Sequence, residues 1–202
     1  MAECLQVRYC VAMRKIILAS ASKGRKFVLE KSGLPFIVER SDYEEDMTLR
    51  LPPARLAKTL AIGKAESVAV KHDNAIVIAA DTLVEFRGKV IGKPYTVKKA
   101  TAQLKQLSGK THDIFTGYCI IDAKTGKKHS GTVRTSVTFR KLSPREISAY
   151  VATGEPLNAA GAYNIENGAA SFVSHIKGDF YNVVGLPLFK IMEELAIFGV
   201  KY

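Results

Sequence analysis

The stretch AIVIAADTLVEF, residues 75–86, decides the reading of the fold. Its first half is a short continuous apolar run, the pattern of a strand buried on both faces, and it is interrupted by Asp81 before the strand resumes through Thr82 to Phe86. Arg87-Gly88 then reads as a turn, and residues 89–91 as the returning partner. A carboxylate at the end of so apolar a run is costly unless a metal, a cation or a catalytic task compensates it, the alternative being an ordinary capping or turn aspartate.

Outward from this run, strands and helices alternate unevenly. Residues 16–19 read as a short buried strand, and the small-residue turn from Ser20 to Ser22 opens a helix that stops at Gly33. Residues 36–38 suggest a second strand. Pro53 opens a long helix to about His72, whose apolar stripe carries Leu56, Ala57, Leu60, Ala61, Ala65 and Val68. Thr96 caps a helix through Leu107, ended by Gly109. Residues 114–121 and 133–139 form two strands joined near Thr125-Gly126. Ser143-Pro144-Arg145-Glu146 is a capping box with proline at the first helical position, so a helix runs over 146–152. Residues 154–168 are loop-rich, 170–176 form a strand, and a last helix starts at Leu186 and reaches about Phe198. The pattern is neither a strict βαβ series nor all-antiparallel, and it predicts a mixed-sheet α/β protein with two lobes around a cleft.

Composition bounds the function. The 202 residues are 47% apolar and 24% charged, too apolar for a disordered chain, and no apolar run approaches the ~20 residues of a membrane span. Thirty Lys and Arg against 19 Asp and Glu give a net charge of +11. Such a balance suits an anionic partner (a phosphate-bearing small molecule, nucleic acid or an acidic surface) or a lysine-rich solvated surface. Cys4, Cys10 and Cys119 are odd in number and lack metal spacing, which points to a reducing, cytoplasmic compartment. Residues 1–12 contain Glu3 and no continuous apolar core, so they read as an N-terminal extension or an upstream start rather than a secretory signal. Residues 13–202, without repeat or linker, are expected to form a single domain.

Several motifs fail. Ser108-Gly109-Lys110-Thr111 ends like a phosphate-binding P-loop, but Leu104 stands where the first glycine is required and a strand follows instead of a helix. The four histidines, His72, His112, His129 and His175, lie in unrelated segments. Neither a dinucleotide fingerprint, a serine-nucleophile elbow nor an aromatic RNA-binding cluster is present.

Other constellations survive. Ser20, Ser22, Lys23, Arg25 and Lys26 place hydroxyls and cations at a helix start, where an anion would relieve the conflict between the cations and the helix dipole. Lys64 falls on the apolar stripe of its helix, where it either snorkels to solvent or pairs with buried negative charge. Lys93, in Gly92-Lys93-Pro94, is placed to reach a phosphate or stands as a plain turn lysine. Glu44, Glu45 and Asp46 form an acidic loop suited to a divalent cation shared with substrate phosphates, or simply to solvent.

Eight short segments then line up in order: Ile17 to Ser22, Ala80-Asp81-Thr82, Gly92-Lys93-Pro94, Leu107 to His112, Phe115-Thr116-Gly117, Tyr150-Val151, Ala160 to Tyr163, and Val184 to Pro187. In this order they resemble the Maf family, known as septum-formation inhibitors and nucleoside triphosphate pyrophosphatases. The resemblance implies a fold similar to the inosine triphosphate pyrophosphatases, with a deep cleft between lobes. It implies hydrolysis of nucleoside triphosphates, canonical or modified, between the α- and β-phosphates, with Mg²⁺, Mn²⁺ or Co²⁺, in a house-cleaning role linked to cell division.

By the same resemblance, Asp81 matches the proton acceptor and, with Glu45, a metal ligand. Ser20, Arg25, Lys64 and Lys93 match substrate- and phosphate-binding positions, and Gly24, Thr82 and Glu166 match positions associated with substrate choice. A homodimer is implied by the resemblance alone. The family's Ser-Pro-Arg-Arg is Ser22-Lys23-Gly24-Arg25 here, so only the second arginine is kept. Glu166 stands where the dTTP/UTP branch resembles glutamine and another branch glutamate; a carboxylate accepts hydrogen bonds only, and the base stays open. The competing reading is a basic nucleic-acid-binding or regulatory protein without turnover, which predicts steeply salt-dependent binding.

Overall fold

In the computed structural model, which describes residues 14–46 and 49–201, the central strand is the one read from the sequence: β3 spans Ala75–Phe86 without a break at Asp81. The extension expected over residues 1–12, with Cys4 and Cys10, lies outside the described residues. The other strands are β1 (Lys15–Leu18), β2 (Ile37–Val38), β4 (Lys89–Ile91), β5 (Thr111–Asp122), β6 (Lys128–Phe139) and β7 (Val173–Lys177). The helices are α1 (Lys23–Glu30), α2 (Pro53–Ala69), α3 (Val97–Leu107), α4 (Pro144–Ala152), α5 (Phe180–Val184) and α6 (Leu188–Ile197). They are supplemented by short 3₁₀ turns at Glu155–Asn158, Ala160–Ala162 and Gly168–Phe172.

The strands form one mixed sheet in the order β2-β1-β3-β5-β6-β7, with β4 paired to the far end of β3. β1 runs parallel to both β2 and β3, whereas β3, β5, β6 and β7 pair antiparallel. The α/β mixed-sheet expectation therefore holds. Parallel pairing at one end requires crossover helices, which α1 and α2 supply, while the antiparallel half is built from hairpins.

The period-two alternation of β3 sorts its side chains into different environments. Ile76, Ile78 and Ala80 join Leu18, Val28, Leu29 and the α6 residues Ile191 and Leu195 in one apolar cluster. Val77 and Ala79 pack instead with Ala61, Ala65 and Val68 of α2. Beyond the polar pair Asp81-Thr82, Val84 and Phe86 enter a separate core with Leu104 and Leu107 of α3 and Ile147 and Val151 of α4. The two lobes are these separate cores, and β3 and its neighbour β5 each cross from one to the other. Asp81 and Thr82 sit at the crossing.

Local signals explain most element ends. Ser22, Thr96 and Ser143 accept hydrogen bonds from the amides of Arg25, Lys99 and Glu146, and Ser143 with Glu146 completes the capping box. Differences fall where polar residues occupy regular structure. β5 begins three residues before the predicted Ile114, and β6 begins five residues before the predicted Val133. β7 starts at Val173, because the preceding Gly168–Phe172 closes as a 3₁₀ turn. Helix α5 was not anticipated; the Asp179 carboxylate caps it by accepting from the amides of Tyr181 and Asn182. Among the described residues no helix is long and apolar enough to cross a membrane.

Candidate active site

Asp81 and Thr82 point to opposite sides of β3, and each meets a cation from a different helix. On the α2 side, Lys64 donates to Asp81 Oδ1 and also lies 2.7 Å from Glu45 Oε1. Asp81 is buried and the Lys64 side chain is only 12% exposed, so the lysine pairs with buried negative charge rather than snorkelling out. Glu45, delivered by the acidic loop, remains about half exposed. Its partial burial raises its carboxyl pKa, but the hydrogen bond and charge of Lys64, with the charges of Lys93 and Arg25, outweigh that and hold it below the ordinary value.

On the other side of the strand, Arg25 is held by neutral oxygens. Its Nε donates to the Gly185 carbonyl at 3.0 Å, Nη1 to Ser20 Oγ at 3.1 Å, and Nη2 to Thr82 Oγ1 at 3.4 Å. Ser20 Oγ also accepts from the Ser22 amide at 3.2 Å. Burial lowers the pKa of this guanidinium, opposed by the charges of Asp81 and Glu45. A cation whose donors are fixed by neutral groups keeps its charge available for an anion entering beside it. The Thr82 hydroxyl is itself set by Thr116 at 3.0 Å, which donates in turn to the Asn182 carbonyl at 2.9 Å.

These groups border one cavity of about 590 Å³, whose wall includes Arg25, Glu45, Lys64, Asp81, Thr82 and Lys93 as well as Glu166. That size falls within the usual range of small-molecule sites. Lys93 is exposed in the turn after β4. Glu166 is exposed in the same wall, where desolvation and then the Glu155 charge raise its carboxyl above the ordinary value. Ser20 is not part of the wall and reaches the site through Arg25. Gly24 lies behind Glu166: a Cβ there would sit 3.0 Å from the Val184 carbonyl and 3.2 Å from Glu166 Oε1. The glycine in place of the family's first arginine thus leaves room for α5 and Glu166.

Some contributors escaped the sequence reading. Tyr95 is 67% exposed at the cavity with φ 58°, a backbone region unusual for a non-glycine residue. Its nearness to Lys93 was the sole available signal. Tyr163 forms another part of the wall, and its hydroxyl lies 2.8 Å from Nε2 of the buried His112. Both residues close segments quoted for the resemblance, Leu107 to His112 and Ala160 to Tyr163, but the contact joins positions 51 apart, so no local pattern marks it.

Among the described residues, no group of three or more His, Cys, Asp or Glu is gathered closely enough to hold a metal ion by itself. The donor set on offer is two carboxylates, Glu45 and Asp81, bridged by Lys64. That set fits a hard divalent cation of the Mg²⁺ kind, which takes one or two carboxylates and completes its shell with phosphate oxygens and water.

Comparison with known proteins shows the family. The profile of the family described as Maf-like protein matches residues 15–198. A dTTP/UTP pyrophosphatase from Moorella thermoacetica is 48% identical over 188 residues, covering 93% of this chain and 97% of the relative. The dTTP/UTP pyrophosphatase of Bacillus anthracis is 45% identical over the same length and shares. Among solved structures, the nucleoside-triphosphatase (dITP/XTP pyrophosphatase) of Mycobacterium abscessus superposes with a TM-score of 0.39 at 14% identity, covering 63% of this chain and 74% of its own. The Staphylococcus aureus Ham1 protein gives a TM-score of 0.42 at 16% identity, covering 62% and 72%.

Proposed function

The chain belongs to the Maf-like protein family, and we propose that it is a nucleoside triphosphate pyrophosphatase acting on dTTP and UTP, releasing the nucleoside monophosphate and pyrophosphate. The observation that carries this reading is a cavity bordered by three cations, Arg25, Lys64 and Lys93, and two adjacent carboxylates, Asp81 and Glu45. A triphosphate tail needs the cations, and attack by water on phosphorus needs a proton acceptor beside them.

Lys64 engages Asp81 through Oδ1, leaving Oδ2 to take a proton from water as that water attacks the α-phosphorus. Pyrophosphate leaves on the opposite side, and its growing charge is met by Arg25 and Lys93. Because the Arg25 donors are fixed by Ser20, Thr82 and Gly185, the guanidinium needs no reorganisation during the reaction. Lys64 keeps two carboxylates together that would otherwise repel. Glu45 and Asp81 would hold the divalent cation, Mg²⁺, Mn²⁺ or Co²⁺. When bound, it supplies charge neutralisation and Lewis-acid polarisation of the phosphates. Thr82 and Glu166, which line the cavity, and Gly24 behind Glu166 are the positions this reading assigns to substrate choice.

The catalytic unit in this reading is residues 13–202, working in the cytoplasm on nucleotide pools, with the division-linked role and a homodimer as further parts of the proposal. The test is incubation with dTTP, UTP, the purine triphosphates and modified triphosphates in Mg²⁺ or Mn²⁺, assaying pyrophosphate and monophosphate together. Equimolar products from dTTP and UTP, lost on chelation, are expected. Release of inorganic phosphate with a nucleoside diphosphate, or no turnover alongside salt-sensitive nucleic-acid binding, would overturn it.

A further inference from the structure

Residues 39–45, the segment that carries Glu45 to the cavity, are strapped along α2 and the turn after it. His72 Nε2 lies 2.7 Å from Glu39 Oε2, Lys71 donates to Asp42 at 2.9 Å, and the Ser41 and Ser67 hydroxyls meet at 2.8 Å. The last of these contacts before Glu45 is of another kind. Tyr43 packs its ring with Leu56, Ala57, Leu60 and Leu83, over the bare backbone of Gly63. A Cβ at position 63 would overlap the ring; of the three nearest ring atoms, even Cδ2, the farthest, would be only 2.8 Å away. The aromatic ring therefore occupies the space that any other residue at 63 would fill. Gly63 directly precedes Lys64, and Tyr43 stands two residues before Glu45.

Glycine in a helix interior is poorly favoured, and no positive φ requires one at position 63. Its use here is to let the ring seat. We propose that Tyr43, seated on Gly63, is the positioning residue that fixes Glu45 beside Lys64 and Asp81. The proposal rests on the reading of Glu45 as a functional carboxylate. The polar links at Glu39, Ser41 and Asp42 lie upstream and leave Glu45 free to swing, whereas the ring closes the strap next to it. Displacing the ring moves the Glu45 carboxylate away from Asp81 and weakens the pair of oxygens offered to a divalent cation.

The test uses the full chain and two readouts. Hydrogen–deuterium exchange of the amides at residues 42–45 reports the strap without any metal or substrate. Gly63→Ala should accelerate it at least about fivefold, as should Tyr43→Ala, while Tyr43→Phe, which keeps the ring, should leave it unchanged. In the double variant Tyr43→Ala/Gly63→Ala, the second change should add nothing, because the collision is gone. In turnover, Gly63→Ala should raise the Mn²⁺ concentration for half-maximal rate several-fold and lower kcat. Its Tm should stay within a few degrees of wild type, because the better helix propensity of alanine offsets part of the packing the displaced ring gives up.

Wild-type exchange in Gly63→Ala would overturn the proposal. So would faster exchange with an unchanged Mn²⁺ requirement, provided Glu45→Gln raises that requirement. If Glu45→Gln itself behaves as wild type, the functional reading of Glu45 fails, and the exchange data alone still decide whether the Tyr43–Gly63 contact holds the strap.

Discussion

Gly117 of β5 stands directly across the sheet from Asp81 of β3, and its bare Cα lets α2 press its backbone onto the sheet at that level. A Cβ on Gly117 would overlap the backbone of Ala57 and Lys58. The closeness of α2 to β3, and with it the reach of Lys64 to Asp81, depends on an atom that is absent. Gly117→Ala should therefore cost about 1–3 kcal/mol, the usual range for overpacking, since backbone rather than a flexible side-chain end must move. Urea unfolding would measure it. Loss of turnover beyond the unfolded fraction is also expected, because α2 carries Lys64 away from Asp81 as it shifts.

Lys64 and Asp81 should behave as a unit. Removing the ammonium by Lys64→Met leaves Asp81 buried without a partner, a change that typically costs about 3–5 kcal/mol. Asp81→Asn should abolish pyrophosphate release yet leave nucleotide binding detectable by calorimetry. The double variant should recover at least half of the stability lost in Lys64→Met, because no buried charge then remains uncompensated. Strict additivity of the two single effects in denaturant would contradict the coupling.

How much of this was legible before folding depends on whether the signal was local. β3 was readable in full because both faces of its first half are buried, and the capping box at Ser143 was readable because its partners are three residues apart. The polar starts of β5 and β6 were not, since Thr111, Lys128 and Ser130 alternate with little apolar contrast on a partly solvated sheet. For Lys64, the helical stripe left snorkelling and buried pairing equally open. Only the β3–α2 packing decides between them. The Tyr43–Gly63 and His112–Tyr163 contacts join distant segments through side-chain shape, which no periodicity encodes.

Glu166 gives a pH-dependent prediction. Its carboxyl titrates above the ordinary value, through desolvation and then the Glu155 charge, so the folded state holds its proton more tightly than the unfolded chain. Stability from this group is present below the unfolded pKa and is lost as pH rises through the raised one. Glu166→Gln removes that loss. The variant should gain Tm relative to wild type near pH 7 and not near pH 4. If the base edge of dTTP or UTP meets residue 166, the same change adds an N–H donor for a pyrimidine carbonyl and should lower KM for both substrates. Unchanged KM ratios across all bases would remove Glu166 from base selection.

His112 carries the opposite sign. It is buried, its Nε2 lies beside the Tyr163 hydroxyl, its Nδ1 has no hydrogen-bond partner among the described residues, and desolvation pulls its pKa down to about 4 despite the nearby Asp113 charge. The ring is therefore neutral in the folded protein at neutral pH. For a group whose folded pKa lies below the unfolded value, stability is intact above the unfolded pKa of about 6.5 and falls as pH drops toward the folded one. The difference amounts to about 3 kcal/mol lost between pH 7.5 and pH 4. His112→Phe keeps the edge-to-face packing with Phe139 and cannot be protonated. At pH 7.5 the variant should be less stable by about 1–3 kcal/mol, because the Tyr163 hydroxyl loses its partner. On acidification it should lose about 3 kcal/mol less than wild type, so the two unfolding curves converge or cross between about pH 4 and pH 6. Parallel pH profiles of the two proteins in urea would show that His112 is not the acid-labile group of this core.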